Sequence, residues 1–143
     1  MTDIHYINVH NSDPTIIPIA ADADVVHVRQ MVRGMAVHAG LTLVDQTKLI
    51  TAASELARNT LVYGGGGHAE LAVVKDGART GVAANFVDEG PGIPDTGLAL
   101  QEGWTSGAGL GLGLSGSRRL VDSFELETEI GRGTRVSIVK WAR

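Results

Sequence analysis

The chain has 143 residues, a formal net charge of −4 and no cysteine. That length makes one ordinary domain able to bury about two-thirds of its unfolded surface. The missing thiols exclude disulfides, thiol catalysis and cysteine-held metals, and mild negative charge without a block of like charges gives a nucleic-acid role no electrostatic support. His5, His10, His27, His38 and His68 lie far apart and form no HExxH pattern, so no zinc site is expected. No basic N-terminal segment leads into an apolar stretch, and no apolar run approaches about 18 residues, so the expectation is a soluble, cytoplasmic protein without a membrane partner.

Ile4, Tyr6 and Val9 alternate with polar neighbours, and Asn11-Ser12-Asp13-Pro14 reads as a turn before a strand over 15–20. Residues 1–14 are thus an N-terminal strand-and-turn extension, forming a hairpin or an edge strand. Asp22 or Asp24 caps a helix that starts near Asp24. Val25, Val28, Met31, Val32, Met35 and Val37 or Ala39 carry its apolar period until Gly40 stops it. A second helix runs over 45–63, with Leu49, Ala52 or Ala53, Leu56 and Thr60 on the core side. Glu55, Asn59 and Tyr63 follow one another along a different stripe, because positions i and i+4 share a helix face. Gly64-Gly65-Gly66-Gly67 ends this helix as a connector. It is no P-loop, since no Lys-Ser or Lys-Thr follows.

Strands are expected over 69–75 and 80–87, joined by a turn at Asp76-Gly77. The second is apolar on both faces in places and so belongs in the middle of the sheet. Asp88 emerges at its end, followed by Glu89-Gly90-Pro91-Gly92, where a flat ligand can approach bare backbone. An irregular segment over 96–108, containing Trp104, reads as a lid. Gly107, Gly109, Gly111 and Gly113 alternate with Ala108, Leu110 and Leu112 before a helix over 114–121, and two strands close the chain over 123–130 and 134–141, either side of Gly131-Arg132-Gly133. The order predicts an α+β two-layer sandwich over 1–143, with a mixed, mostly antiparallel sheet and helices on one face. Each local feature also has an ordinary structural reading: a solvated helix face for Glu55 and Asn59, a turn for Asp88-Gly90. Their conjunction argues otherwise.

Glu55…Asn59, Asp88-Glu89-Gly90-Pro91-Gly92-Ile93, Gly107-Ala108-Gly109-Leu110-Gly111-Leu112-Gly113 and Gly133-Thr134 together resemble the motifs of the GHKL ATPase/kinase superfamily, the Bergerat ATP-binding fold. Within it, Ser54 to Asn59, Gly90-Pro91-Gly92-Ile93-Pro94-Asp95 and the ending Val139 to Arg143 resemble the RsbT-type serine/threonine kinases of bacterial stress signalling. The resemblance covers nearly everything beyond about Thr15. It implies ATP and Mg²⁺ as cofactors, with Asn59 as the metal ligand and Glu55 as the general base. It implies that Asp88 accepts from the adenine amino group, with Gly90, Gly92, Ile93 and Thr134 around the base. Gly107, Gly109, Leu110, Gly111, Leu112 and Gly113 are implied to wrap the phosphates.

No phosphoacceptor helix pair and no transducer segment accompany these motifs, so a stand-alone kinase domain is expected. By resemblance its substrates are STAS-domain scaffold or antagonist proteins of a stressosome-type partner-switching pathway, and its released form activates a downstream phosphatase. Two alternatives share the same motifs: an anti-sigma factor kinase that holds a sigma factor, and a non-catalytic nucleotide-dependent switch. A homodimer stays open.

Overall fold

Two cap structures set the helical layer in the computed structural model, which describes residues 10–11, 13–94, 100 and 113–143. Helix α1 (Asp22–Ala39) starts two residues earlier than the sequence suggests, because Asp24 caps from within the first turn. Its Oδ2 accepts from the N–H groups of Ala20 at 2.8 Å and Ala21 at 2.9 Å, placing a carboxylate at the positive end of the helix. Gly40, at φ 87°, closes α1, and the Leu41 N–H reaches back to the Ala36 carbonyl at 3.0 Å. Helix α2 (Leu43–Val62) is capped by the Thr42 hydroxyl, which accepts from the Asp45 N–H at 3.2 Å.

The sheet comprises β1 (His10–Asn11), β2 (Thr15–Ile19), β3 (Gly67–Asp76), β4 (Arg79–Asp88), β5 (Ser123–Glu129) and β6 (Gly133–Trp141). The short helix α3 (Leu114–Leu120) precedes β5. The strand order is β1-β3-β4-β6-β5 with β2 also on β3, and every pairing among the described residues is antiparallel. The expected α+β sandwich is therefore present, and β4 is central as its two-sided apolarity requires.

Of the two arrangements expected for the N-terminal extension, the described residues show the edge strand. Both β1 and β2 run against the same edge of β3, and Asn11 lies in strand rather than turn. The register passes from Asn11 opposite Val74 to Thr15 opposite Leu71, so the two strands lie one residue out of step along this edge.

Both helices cover one sheet face. Ile17, Ile19, Leu71, Val82, Ala84, Phe86, Val136 and Ile138 meet Val25, Val28, Val32, Ala36, Leu49 and Leu56 there. Ala72, Val74, Ala83, Val139 and Trp141 form a second cluster on the other face, where the Arg79 guanidinium stands 4.1 Å from the Trp141 ring centroid. Lys140, though buried, is matched by Asp45 at 3.6 Å and Asp122 at 3.8 Å, which pins β6 to the start of α2. A buried charge requires such pairing. The consequence for the site is topological: the end of β4, the starts of β3 and β6 and the C-terminal half of α2 all meet at one end of the sandwich.

Candidate active site

Glu55, Asn59 and Tyr63 run along one side of α2, each half-buried and off the line of Leu49, Leu56 and Thr60. Asn59 lines a cavity with Leu56, Thr60, Tyr63, Phe86, Asp88, Ile93, Leu114, Thr134 and Val136. The lining combines Leu56, Phe86, Ile93, Leu114 and Val136 with a few polar groups, a composition that suits a flat heterocycle. Glu55 stands one turn further back, against Gly113. A Cβ added to Gly113 would come within 2.5 Å of Glu55 Cγ and Oε1, and Gly113 holds φ 63° at the N-cap of α3. Glycine meets both demands at that position.

Asp88 is the register partner of both Gly67 and Thr134. Its Oδ1 accepts from the Gly90 N–H at 2.9 Å. Burial pushes its carboxyl above the ordinary carboxylate range, while the backbone N–H groups of Gly90 and Thr134 pull partly the other way. When ionised it presents an acceptor to an amino group in the cavity.

The glycine run 64–67 does more than the connector the sequence suggests. A Cβ on Gly64 would run into the Asp88 side chain, and one on Gly90 would meet the Gly64 backbone. These two glycines allow the end of α2 and the end of β4 to touch, and the strand that follows Gly64–Gly66 begins at Gly67, two residues before the expected start.

Around the cavity mouth, Gly92 holds φ 78° and abuts the Glu129 carbonyl, and Gly133 holds φ 122° and abuts the Asp88 carbonyl. Ile93 is buried. Its N–H donates to Thr128 Oγ1 at 2.9 Å, and that hydroxyl also contacts the Gly133 carbonyl at 3.1 Å and Thr134 Oγ1 at 2.9 Å. Thr128 thus joins the Gly90–Ile93 segment to Thr134, a role absent from the motifs. The signal that points to it is its place opposite Thr134 in the β5–β6 register. Tyr63 adds a contact from its hydroxyl to the Gly92 carbonyl at 3.4 Å.

The structure therefore brings Asn59, Asp88, Ile93 and Thr134 to one cavity, with Gly90, Gly92 and Gly113 at close backbone approaches and Glu55 behind Gly113. Gly107, Gly109, Leu110, Gly111, Leu112, Trp104 and the expected lid over 96–108 lie outside the described residues, apart from Leu100. Among the described residues no cluster of three or more His, Asp or Glu could hold a metal. Asn59 offers a single hard amide oxygen. That suits Mg²⁺, which usually takes few protein ligands and fills its shell with phosphate oxygens and water. A wider cleft at the opposite end of β4, lined by Arg79, Asp122, Ser123, Trp141 and Arg143, has its charges committed: Arg79 to Asp76 and Arg143 to Asp122, each at 2.6 Å.

Residues 44–142 match the family model of the histidine kinase-, DNA gyrase B- and HSP90-like ATPases. The chain is also similar to the serine/threonine-protein kinase RsbT of Bacillus subtilis (strain 168). The two are 39% identical over 132 residues, spanning 92% of this chain and 99% of that protein.

Proposed function

The chain belongs to the histidine kinase-, DNA gyrase B- and HSP90-like ATPase family, and from that premise we propose that it is a protein serine/threonine kinase using Mg·ATP to phosphorylate STAS-domain partners in a partner-switching bacterial stress response. The similarity to a serine/threonine-protein kinase over almost the full length of both chains supports the kinase activity. The observation that carries the reading is the placement of Glu55 and Asn59 one turn apart on α2, with Asp88 in the cavity that Asn59 lines. Nucleotide binding alone has no use for a carboxylate base, so Glu55 favours transfer over a non-catalytic switch.

In this reading the adenine lies between Leu56, Phe86, Ile93, Leu114 and Val136, and its amino group donates to ionised Asp88. A guanine carbonyl cannot donate there, which selects ATP. Thr134 supports Asp88 from the neighbouring strand. Asn59 would hold Mg²⁺, which would supply charge neutralisation on the phosphates, and by the resemblance the glycine-rich run 107–113 would supply backbone N–H groups. Glu55 takes the proton of the substrate hydroxyl as its oxygen bonds to the γ-phosphorus. The bond from that phosphorus to the β–γ bridging oxygen breaks, and ADP leaves. The phosphate placed on the STAS partner changes which protein that partner holds, and the released kinase engages a downstream phosphatase. No helix among the described residues is long and apolar enough to cross a membrane, which is compatible with a cytoplasmic site of action.

The deciding experiment is the intact mass of a STAS-domain protein encoded beside this chain, measured after incubation with the chain and Mg·ATP. One phosphate added by the native chain and none by Glu55→Gln, with ATP affinity retained, is the expected result. ATP binding without transfer would overturn the reading. Co-purification with a sigma factor would move the assignment to an anti-sigma kinase.

A further inference from the structure

Arg29 and Arg33 are exposed on α1 and border a groove between α1 and the first half of α2, whose other wall includes Leu43, Thr47, Ile50 and Thr51. Neither arginine makes a hydrogen bond or ion pair among the described residues. Asp24, the carboxylate nearest in sequence, is occupied by the backbone N–H groups at the start of α1, Asp45 by Lys140 and Arg143, and Asp22 stands about two helical turns before Arg29, too far for an ion pair. Two uncompensated cations side by side, one helical turn apart, are unusual on a chain of net charge −4.

The arginines do not stand alone. Val26, Arg29, Arg33 and Val37 fall within an arc of about 80° on α1, counting 100° per residue. Val26 is 47% exposed and Val37 60%, and across the groove Leu43 is 73% exposed and Val44 64%. The surface is therefore two cations within an apolar margin. A small anion has no use for that margin, and a nucleic acid would need many more cations than two. An amphipathic protein segment with acidic residues along one side complements both parts.

The groove also has a direction. Thr47, Thr51 and Glu55 succeed one another at four-residue intervals along α2, so each step advances about 6 Å along the helix axis toward the base. About three extended residues span the distance from the middle of the groove to Glu55.

We propose that the groove between α1 and α2 docks an acidic amphipathic segment of the protein substrate through Arg29 and Arg33, and so presents a nearby serine or threonine to Glu55. This inference rests on the kinase reading above. It adds that recognition is achieved on α1, away from the nucleotide cavity.

The test compares the native chain with Arg29→Glu/Arg33→Glu in phosphorylation of the STAS-domain protein, with ATP affinity measured in parallel. Both side chains are exposed and unpaired, and Arg29→Gln/Arg33→Gln serves as a milder second variant. The expected result is a KM for the protein substrate raised about tenfold or more, with kcat within about twofold and ATP affinity unchanged. The native KM should rise with salt, and that dependence should flatten in the reversed variant. A KM unchanged in both variants overturns the proposal. If the native chain transfers no phosphate, the kinase reading fails separately. The groove is then judged by amide NMR shifts on adding a synthetic leucine–glutamate amphipathic peptide and its leucine–lysine counterpart. Shifts at Thr47, Ile50 and Thr51 with the acidic peptide only would uphold acidic docking, and no shift, or equal shifts with both, would overturn it.

Discussion

Gly113 rests directly on Glu55, with no room between them for a methyl group: a Cβ at position 113 would stand 2.5 Å from Glu55 Oε1. The glycine that opens α3 is thus also the wall against the carboxylate we propose as the base. In Gly113→Ala the methyl and the base cannot both keep their positions, and the left-handed backbone at φ 63° costs an L-residue about 1–2 kcal/mol. We expect stability to fall by about that amount, and phosphotransfer to fall by about a hundredfold because the base is displaced from its working geometry. Denaturant unfolding and single-turnover transfer separate the two effects. Full transfer by a folded Gly113→Ala protein would refute the contact's importance.

If Asp88 receives the adenine as proposed, its raised pKa sets nucleotide affinity against stability. Burial raises its carboxyl above the ordinary value of 3.8, so the folded state holds the proton more tightly than the unfolded chain does. Its contribution to stability is fullest below 3.8 and declines as pH rises from there through the folded-state value. Under the proposed assignment nucleotide affinity runs the opposite way, because the ionised carboxylate is the stronger acceptor for the adenine amino group, and affinity is expected to weaken as pH falls through that raised value. Calorimetric ADP titrations on the acid side of neutrality should show this loss while the nucleotide-free protein stays folded. In Asp88→Asn the amide oxygen stays on the Gly90 N–H, and the NH₂ group then faces the adenine amino donor. We expect ATP affinity to fall by about 30-fold or more with thermal stability unchanged or raised. Native-like ATP affinity in Asp88→Asn would contradict the assignment.

Much of this site is legible in the sequence because its parts are local. The i, i+4 relation of Glu55 and Asn59 needs only helical geometry, and Gly90, Gly92 and Gly133 mark places where the backbone must turn or touch. What escaped depends on register and packing. The expected strands 123–130 and 134–141 imply a symmetric pairing of 130 with 134, but β5 ends at Glu129 opposite Gly133, with 130–132 as the loop. That shift places Thr128 opposite Thr134. On α1 the sequence leaves Val37 or Ala39 as the last core position; the structure buries Ala39, and Ala36 with it, and leaves Val37 60% exposed. Val25, Val28, Val32, Ala36 and Ala39 share one arc of the helix, and Val37 lies outside it. The pairing of Gly64 with Asp88 joins elements that only the folded sheet brings together.

Gly34 lies in the middle of α1, exposed and with nothing within 4 Å of an added Cβ. Glycine there carries the entropic cost of an ordered helix without any close approach to justify it. Gly34→Ala should stabilise the protein by about 0.5–1 kcal/mol in denaturant unfolding, with transfer activity unaltered. Destabilisation would mean that this face of α1 is covered in solution.

Thr128 has one hydroxyl proton and three partners. If it donates to the Gly133 carbonyl at 3.1 Å, it must accept from the Ile93 N–H and from the Thr134 hydroxyl, each at 2.9 Å. All three contacts are then satisfied, and the Thr134 oxygen is left as an acceptor toward the cavity. Thr128→Val keeps the shape of the side chain and removes the oxygen, which strands the Ile93 N–H and frees Thr134 to reorient. The unfolding free energy should drop by about 1–3 kcal/mol. ATP affinity should weaken about tenfold, because the Gly90–Ile93 segment loses its tie to β5. Thr128→Ser retains the hydroxyl and should stay close to the native protein in both measurements. If valine and serine behave alike, the contribution of Thr128 is packing, and the hydrogen-bonded link between the two cavity walls is not what holds the nucleotide site together.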